Sequence, residues 1–230
     1  SWAWRAYRSE SRGRPTGPYG ALTCVATVAG VLGLGPSRLG VDLGTTHTVA
    51  ALAVHGARVQ QLLFDSSPLL SSAVYAEAGR QPVAGRDAER AARIDPTRFE
   101  PNPKRRIDDG NVLLGDQEYQ VADLLAAILR RVADEAGRVG GGSPGATVLT
   151  YPANWATTRR GLLADAAQRA GLRSLTLVPE PIAAAAYFTT VLGRPVPPGA
   201  GLVVYDLGAG TFDTSVLRRR ADQGWEVLAS

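Results

Sequence analysis

The chain has 230 residues, 45% of them hydrophobic and 20% charged, enough apolar material to bury one large core or two small ones. Its formal charge of +4 arises in the first forty residues, where Arg5, Arg8, Arg12, Arg14 and Arg38 face one acid, Glu10; residues 41–230 are neutral, which argues against the basic face of a nucleic-acid binder. The one cysteine, Cys24, excludes an intrachain disulfide and fits a reducing cytosol. Residues 1–20 mix Arg, Ser, Gly and Pro without a period and read as disordered. Residues 21–35 carry no charge but are short for a bilayer span, which takes about 20 apolar residues. A basic stretch before an apolar run has the outline of a secretory signal; the other reading is an upstream extension with no role.

The ordered part begins at 37. Residues 39–43, 48–54 and 57–64 read as three strands of an antiparallel meander punctuated by Gly44 and Gly56. Pro68, Pro82, Pro96, Pro101 and Pro103 mark an irregular region around a short helix near 86–94. Val121, Leu124, Leu125, Ile128, Leu129 and Val132 fall at helical spacing and predict a helix over 121–138. A buried strand follows at 146–150, a helix at 156–170 ended by Gly171, a strand at 174–178 and a helix at 180–192.

The pattern then restarts. G-L-V-V-Y-D-L-G at 201–208 echoes L-G-V-D-L-G at 39–44, T-F-D-T-S-V-L at 211–217 echoes T-H-T-V-A-A-L at 46–52, and 225–229 supplies a third strand. Strands followed by alternating helices and strands predict an α/β layered sheet with an antiparallel portion. The repeat predicts a duplicated fold with two facing lobes, of which 37–192 is the first and 193–230 only the start of the second. With no crossover helices of its own, the second sheet is expected to expose Leu202, Val204, Val216 and Val227 on one face or the other, beside an unpaired edge.

Asp42-Leu43-Gly44-Thr45-Thr46 places an aspartate at a strand end, then a glycine and hydroxyls. The N–H groups of such a turn can cradle an anion, and the aspartate can hold Mg²⁺ directly or through water, although many ordinary turns look the same. Asp206-Leu207-Gly208-Ala209-Gly210-Thr211-Phe212-Asp213 repeats the device, and two such loops facing one another would clamp a polyphosphate. No G-x-x-x-x-G-K-[ST] occurs, so this is not a Walker loop. Lys104 is the one lysine against 24 arginines, either a chance survivor of coding bias on the surface or a residue kept for its chemistry.

G-V-D-L-G-T-T, V-L-T-Y-P-A-N-W, V-P-E-P-I-A-A-A-A-Y and D-L-G-A-G-T-F-D-T-S-V-L occur in that order, and over residues 38–230 the chain resembles the nucleotide-binding domain of the heat-shock protein 70 chaperones. P-K-R-R-I at 103–107 is similar to the segment in which that family carries its catalytic lysine. The resemblance implies an actin-like (ribonuclease H-like) ATPase fold, ATP and Mg²⁺ as ligands, and co-chaperones with a nucleotide-exchange factor as partners. It implies that Gly44, Thr45 and Thr46 contact phosphates and that Gly208, Ala209, Gly210 and Thr211 line the second phosphate loop. Lys104 would neutralise developing charge and hold the attacking water, Glu180 and Asp206 would organise Mg²⁺ and water, and Asp42 would sit in the metal's outer shell. Pro152 and Pro181 resemble the family's hinge and switch prolines. A dependence on ATP favours a cytoplasmic protein and the extension reading of residues 1–36.

Some residues depart from the family pattern. Ala209 stands for the middle glycine of G-G-G-T, Asp108 for a glycine after the lysine segment, and His47 and Asn154-Trp155 are uncommon. The second lobe's adenosine-binding segment is missing from these 230 residues, so the chain as it stands is expected to bind ATP weakly and hydrolyse little. Arg159-Arg160 reads as an exposed helix face, Arg218-Arg219-Arg220 as a solvated strand end, Trp155 as packing, and neither histidine has a partner set for a metal. An actin-like filament protein and a sugar-kinase relative are the alternatives on the same fold.

Overall fold

Leu39 and Val41 on one side of the strand at residues 38–42, and Asp42 on the other, are all buried, as befits a strand covered on both faces. The computed structural model describes residues 3–7, 37–54, 59–208 and 212–230. Its strands are β1 (Ala3–Tyr7), β2 (Arg38–Asp42), β3 (His47–Ala53), β4 (Gln60–Gln61), β5 (Leu70–Ser71), β6 (Val74–Tyr75), β7 (Val83–Ala84), β8 (Phe99–Glu100), β9 (Asn111–Leu114), β10 (Gln117–Gln120), β11 (Ala146–Tyr151), β12 (Leu175–Pro179), β13 (Gly201–Leu207), β14 (Phe212–Arg219) and β15 (Trp225–Ala229). The helices are α1 (Arg86–Ala91), α2 (Val121–Gly140), α3 (Thr157–Arg169) and α4 (Glu180–Thr190), with 3₁₀ turns at Pro96–Arg98 and Pro103–Arg106.

The first sheet runs β12-β11-β2-β3-β4, with β5 also on β3. β2, β3 and β4 pair antiparallel, whereas β11 lies parallel to both β2 and β12, so the mixed sheet expected from the element order is present. Of the strand expected at 57–64, Gln60 and Gln61 pair with β3; residues 55–58 lie outside the described residues. Leu124, Leu125, Ile128, Leu129 and Val132 of α2 join Leu39, Val41, Leu52 and Leu149 in one core. Spacing of three and four puts these side chains on one face of α2, and Gly141, at φ +72°, ends the helix in the left-handed conformation that glycine tolerates. Among the described residues no helix is long and apolar enough to cross a membrane.

The second sheet runs β1-β13-β14-β15, antiparallel throughout. β13 and β14 repeat the β2–β3 hairpin. Where β11 lies parallel against β2, β1 lies antiparallel against β13, so residues 3–7 form a strand within the 1–20 stretch whose composition reads as disordered. Local composition carries no trace of this because the pairing is made with a strand 200 residues away. The sheet also has a helix on one face. Ala183, Ala184 and Ala185 of α4 share a core with Leu202, Val204, Leu217 and Trp225, so Leu202 and Val204 are buried rather than exposed. The helix expected to close the first lobe at 192 therefore shares its core with the second sheet.

Candidate functional site

β2 ends at Asp42 and β13 reaches Asp206, and the two carboxylates line one cleft of about 270 Å³. Strand alternation explains the second placement: Asp206 lies across from Asp213, on the face that also carries Val204 and Ser215, toward α4. α4 begins with Glu180, whose carboxylate enters the same cleft, and Pro181 follows in the first turn, where its missing N–H costs no helical bond. The 3₁₀ turn Pro103–Arg106 brings in Lys104 from the opposite wall.

Each group is held by a neighbour. The Thr150 hydroxyl, on β11 beside β2, donates to the Asp42 carboxylate at 2.7 Å. Ser72 pins the first turn: its hydroxyl donates to the Gly44 carbonyl at 2.8 Å, its backbone N–H donates to the Thr46 carbonyl at 2.9 Å, and its oxygen lies 3.0 Å from that of Thr48. Lys104 is only 8% exposed, not a chance surface lysine, and its ammonium donates to Glu180 at 2.9 Å. The same ammonium lies 5.4 Å from the centre of the Trp155 ring, so Trp155 packs beneath the cation.

Asp42, Glu180, Asp206 and Asp213 thus share the cleft with Lys104, and Asp108 lines it paired to Arg159. Burial pushes the Asp206 carboxyl up to about 7, with Glu180, Asp42 and Asp213 adding to the rise and Lys104 opposing it. Burial likewise raises Glu180, against the pull of Lys104. Crowded carboxylates of this kind call for a cation. Among the described residues no three His, Cys, Asp or Glu side chains stand close enough to cage a metal ion by themselves. The set fits a hard ion such as Mg²⁺, which keeps its waters and takes its remaining ligands from an anion. Asp42, Glu180 and Asp206 would meet such an ion largely through water.

Gly44 and Thr45 line the cleft beside these acids, while the Thr46 carbonyl is turned to Ser72. Gly208 follows β13; Ala209, Gly210 and Thr211 lie outside the described residues. Pro152 and Asn154 line the floor. His47 opens β3, and burial lowers its pKa. At the rim, Arg159 is not a free helix-face arginine: its guanidinium donates to both Asp108 oxygens, at 2.8 and 2.6 Å. Ser72, Thr150, Asp213 and the Asp108–Arg159 pair were not singled out from sequence as members of the site. Of these, Asp213 left a signal as the aspartate closing the D-L-G…T-F-D string, and Asp108 as the residue standing where the family pattern has a glycine.

Comparison with known proteins gives a consistent result. The family model described as Hsp70 protein matches residues 103–229. A protein named chaperone protein HscA homolog from Acidithiobacillus ferrooxidans is 33% identical over 215 residues, covering 84% of this chain and 34% of that protein. A chaperone protein DnaK from Thermotoga petrophila is 32% identical over 182 residues, covering 78% of this chain and 30% of its own length. An HscA homolog from Azotobacter vinelandii is 35% identical over 220 residues, with 84% and 34% covered. The chain spans about a third of the length of these relatives.

Proposed function

The chain belongs to the Hsp70 family, and we propose that its cleft is the phosphate and Mg²⁺ end of the ATP site in a chaperone nucleotide-binding domain. The family is one of ATPases with an actin-like fold, and the mixed α/β build of this chain agrees with that fold. Residues 37–192 read as the first lobe and 193–230 as the opening of the second, on the strength of the repeated β-hairpin. The observation that carries the functional reading is Lys104: a buried ammonium, tied to Glu180, in a cleft lined by the aspartates at the ends of both repeated strands.

The chemistry is phosphoryl transfer to water, in which positioning and charge stabilisation supply most of the catalysis. The backbone around Gly44 and Thr45 receives phosphate oxygens. Lys104 holds the attacking water and offsets charge that builds on the transferred group. Glu180 and Asp206 would orient that water and, with Asp42, which Thr150 fixes in place, would hold the ion. Mg²⁺, when bound, neutralises the phosphates. From the second turn, Gly208, Ala209, Gly210 and Thr211 would close on the phosphates from the other side. The reading places the protein in the cytoplasm, with ATP and ADP as ligands and co-chaperones and a nucleotide-exchange factor as partners. Relatives named as chaperones disfavour a filament protein or a sugar kinase.

Calorimetry tests the reading. This chain should take up Mg·ATP weakly, lose that binding when EDTA removes the metal, and show little heat with AMP. Lys104→Ala and Asp206→Ala should weaken Mg·ATP binding further. Equal heats for AMP and ATP, unaffected by EDTA, would mean that the cleft does not read phosphates.

A further inference from the structure

We propose that the Asp108–Arg159 pair is a positioning clamp for Lys104, holding the 3₁₀ turn that carries the lysine against the start of α3. Two rungs join these segments at equal spacing. Lys104 lies over Trp155, and four residues further along each segment Asp108 takes the Arg159 guanidinium with both oxygens. Between the rungs on the lysine side, Ile107 is buried in the main core, so the backbone from Lys104 to Asp108 is anchored at its middle as well as its ends. Within the lysine segment, Arg106 reaches Asp109 at 2.9 Å and Glu100 at 3.7 Å. The clamp therefore ties the lysine segment directly to α3.

The charges support the pairing as a unit. Arg159 is the third residue of α3, where a cation opposes the helix dipole, and the first turn of α3 contains no acid. Asp108, brought in from the lysine segment, supplies the missing negative charge at that helix end. Arg159 in turn holds the Asp108 carboxyl below its usual range, so the clamp stays charged at neutral pH. The aspartate at the position where the sequence departs from the family's glycine is thereby tied to an arginine 51 residues away. Both residues line the mouth of the cleft. The functional meaning of the clamp rests on the reading of Lys104 as the phosphate-side cation; its geometric content does not.

The chain's single lysine makes a direct test possible. Acetylation by an amine-directed reagent, read by peptide mass spectrometry, reports side-chain exposure at Lys104 alone once the N-terminal amine is assigned. Reductive ¹³C-methylation adds one further resonance that reports the ammonium's surroundings. Without any nucleotide, Asp108→Gly and Arg159→Gln should each speed Lys104 acetylation about two- to fivefold, the scale of a lost bidentate surface pair. Each should also shift the methyl resonance. The charge-swapped double variant, Asp108→Arg with Arg159→Asp, should return both readouts toward the parent. Asp108→Asn keeps the volume and removes the charge, and decides the matter should the glycine variant fold poorly by circular dichroism. Parent-like acetylation and resonance in the single variants, or a swap no better than the singles, would overturn the clamp. Because ATP is left out, failure of the nucleotide reading leaves this result intact, and the reverse holds too.

Discussion

Asp206 holds a proton across a pH range in which an ordinary aspartate has lost it. Its carboxyl titrates near 7 in the folded chain, raised from 3.8 first by burial and then by Glu180, Asp42 and Asp213. The unfolded chain has released this proton by about pH 4 to 5, so from there to about 7 the native state binds more protons than the unfolded one. Stability of the unliganded protein should accordingly fall as pH rises through that window and level off above it. Asp206→Asn removes the crowded charge. It should stabilise the unliganded protein by about 1–3 kcal/mol at pH 8 and by much less at pH 5. Urea titrations at the two pH values check this; an equal shift at both would show that Asp206 carries no such burden. A cation bound in the cleft should erase the difference, since it stabilises the ionised form.

The second sheet shows what an element does when only one of its faces is covered. α4 shields Leu202, Val204 and Leu217, but alternation sends Tyr205, Leu207 and Phe212 to the other face. There the Tyr205 and Phe212 rings stack, 6.1 Å apart and 11° from parallel, and Phe212 is 60% exposed. Contiguous exposed apolar side chains favour association. Sedimentation velocity should show concentration-dependent self-association that Phe212→Ser with Leu207→Ser reduces; a monomer at all concentrations, unchanged in the double variant, would contradict this. Sequence reasoning foresaw apolar exposure here but assigned Leu202 and Val204 to it, because the residues of α4 that cover them precede the sheet and read as part of the first lobe. Elements with their own period were legible: α2, α3 and the β2–β3 and β13–β14 hairpins stand close to their expected bounds. The two-residue strands β6, β7 and β8 were not, since they exist through pairing rather than through pattern. The same division runs through the site. Asp42 and Asp206 could be named from the repeated strand-end string, and Lys104 and Glu180 from segments that resemble those of the Hsp70 family. Ser72 and Thr150 are lone hydroxyls that acquire a role only when folding sets them beside Gly44 and Asp42.

At the scale of the whole molecule, two copies of one strand–turn–strand device meet with their aspartates toward a shared cleft, and a third segment lays a buried lysine between them. The repeat accounts for the cleft's two walls, and the acid excess accounts for its need of a cation. The central claim is that this cleft receives the phosphates of Mg·ATP against Lys104. The most direct measurement is the acetylation rate of that one lysine with Mg·ATP, with ATP and EDTA, and with Mg·AMP. The account predicts slower acetylation with Mg·ATP alone among the three, at nucleotide concentrations high enough to fill a weak site. A Lys104 rate unchanged by saturating Mg·ATP, or slowed equally by Mg·AMP, would contradict it.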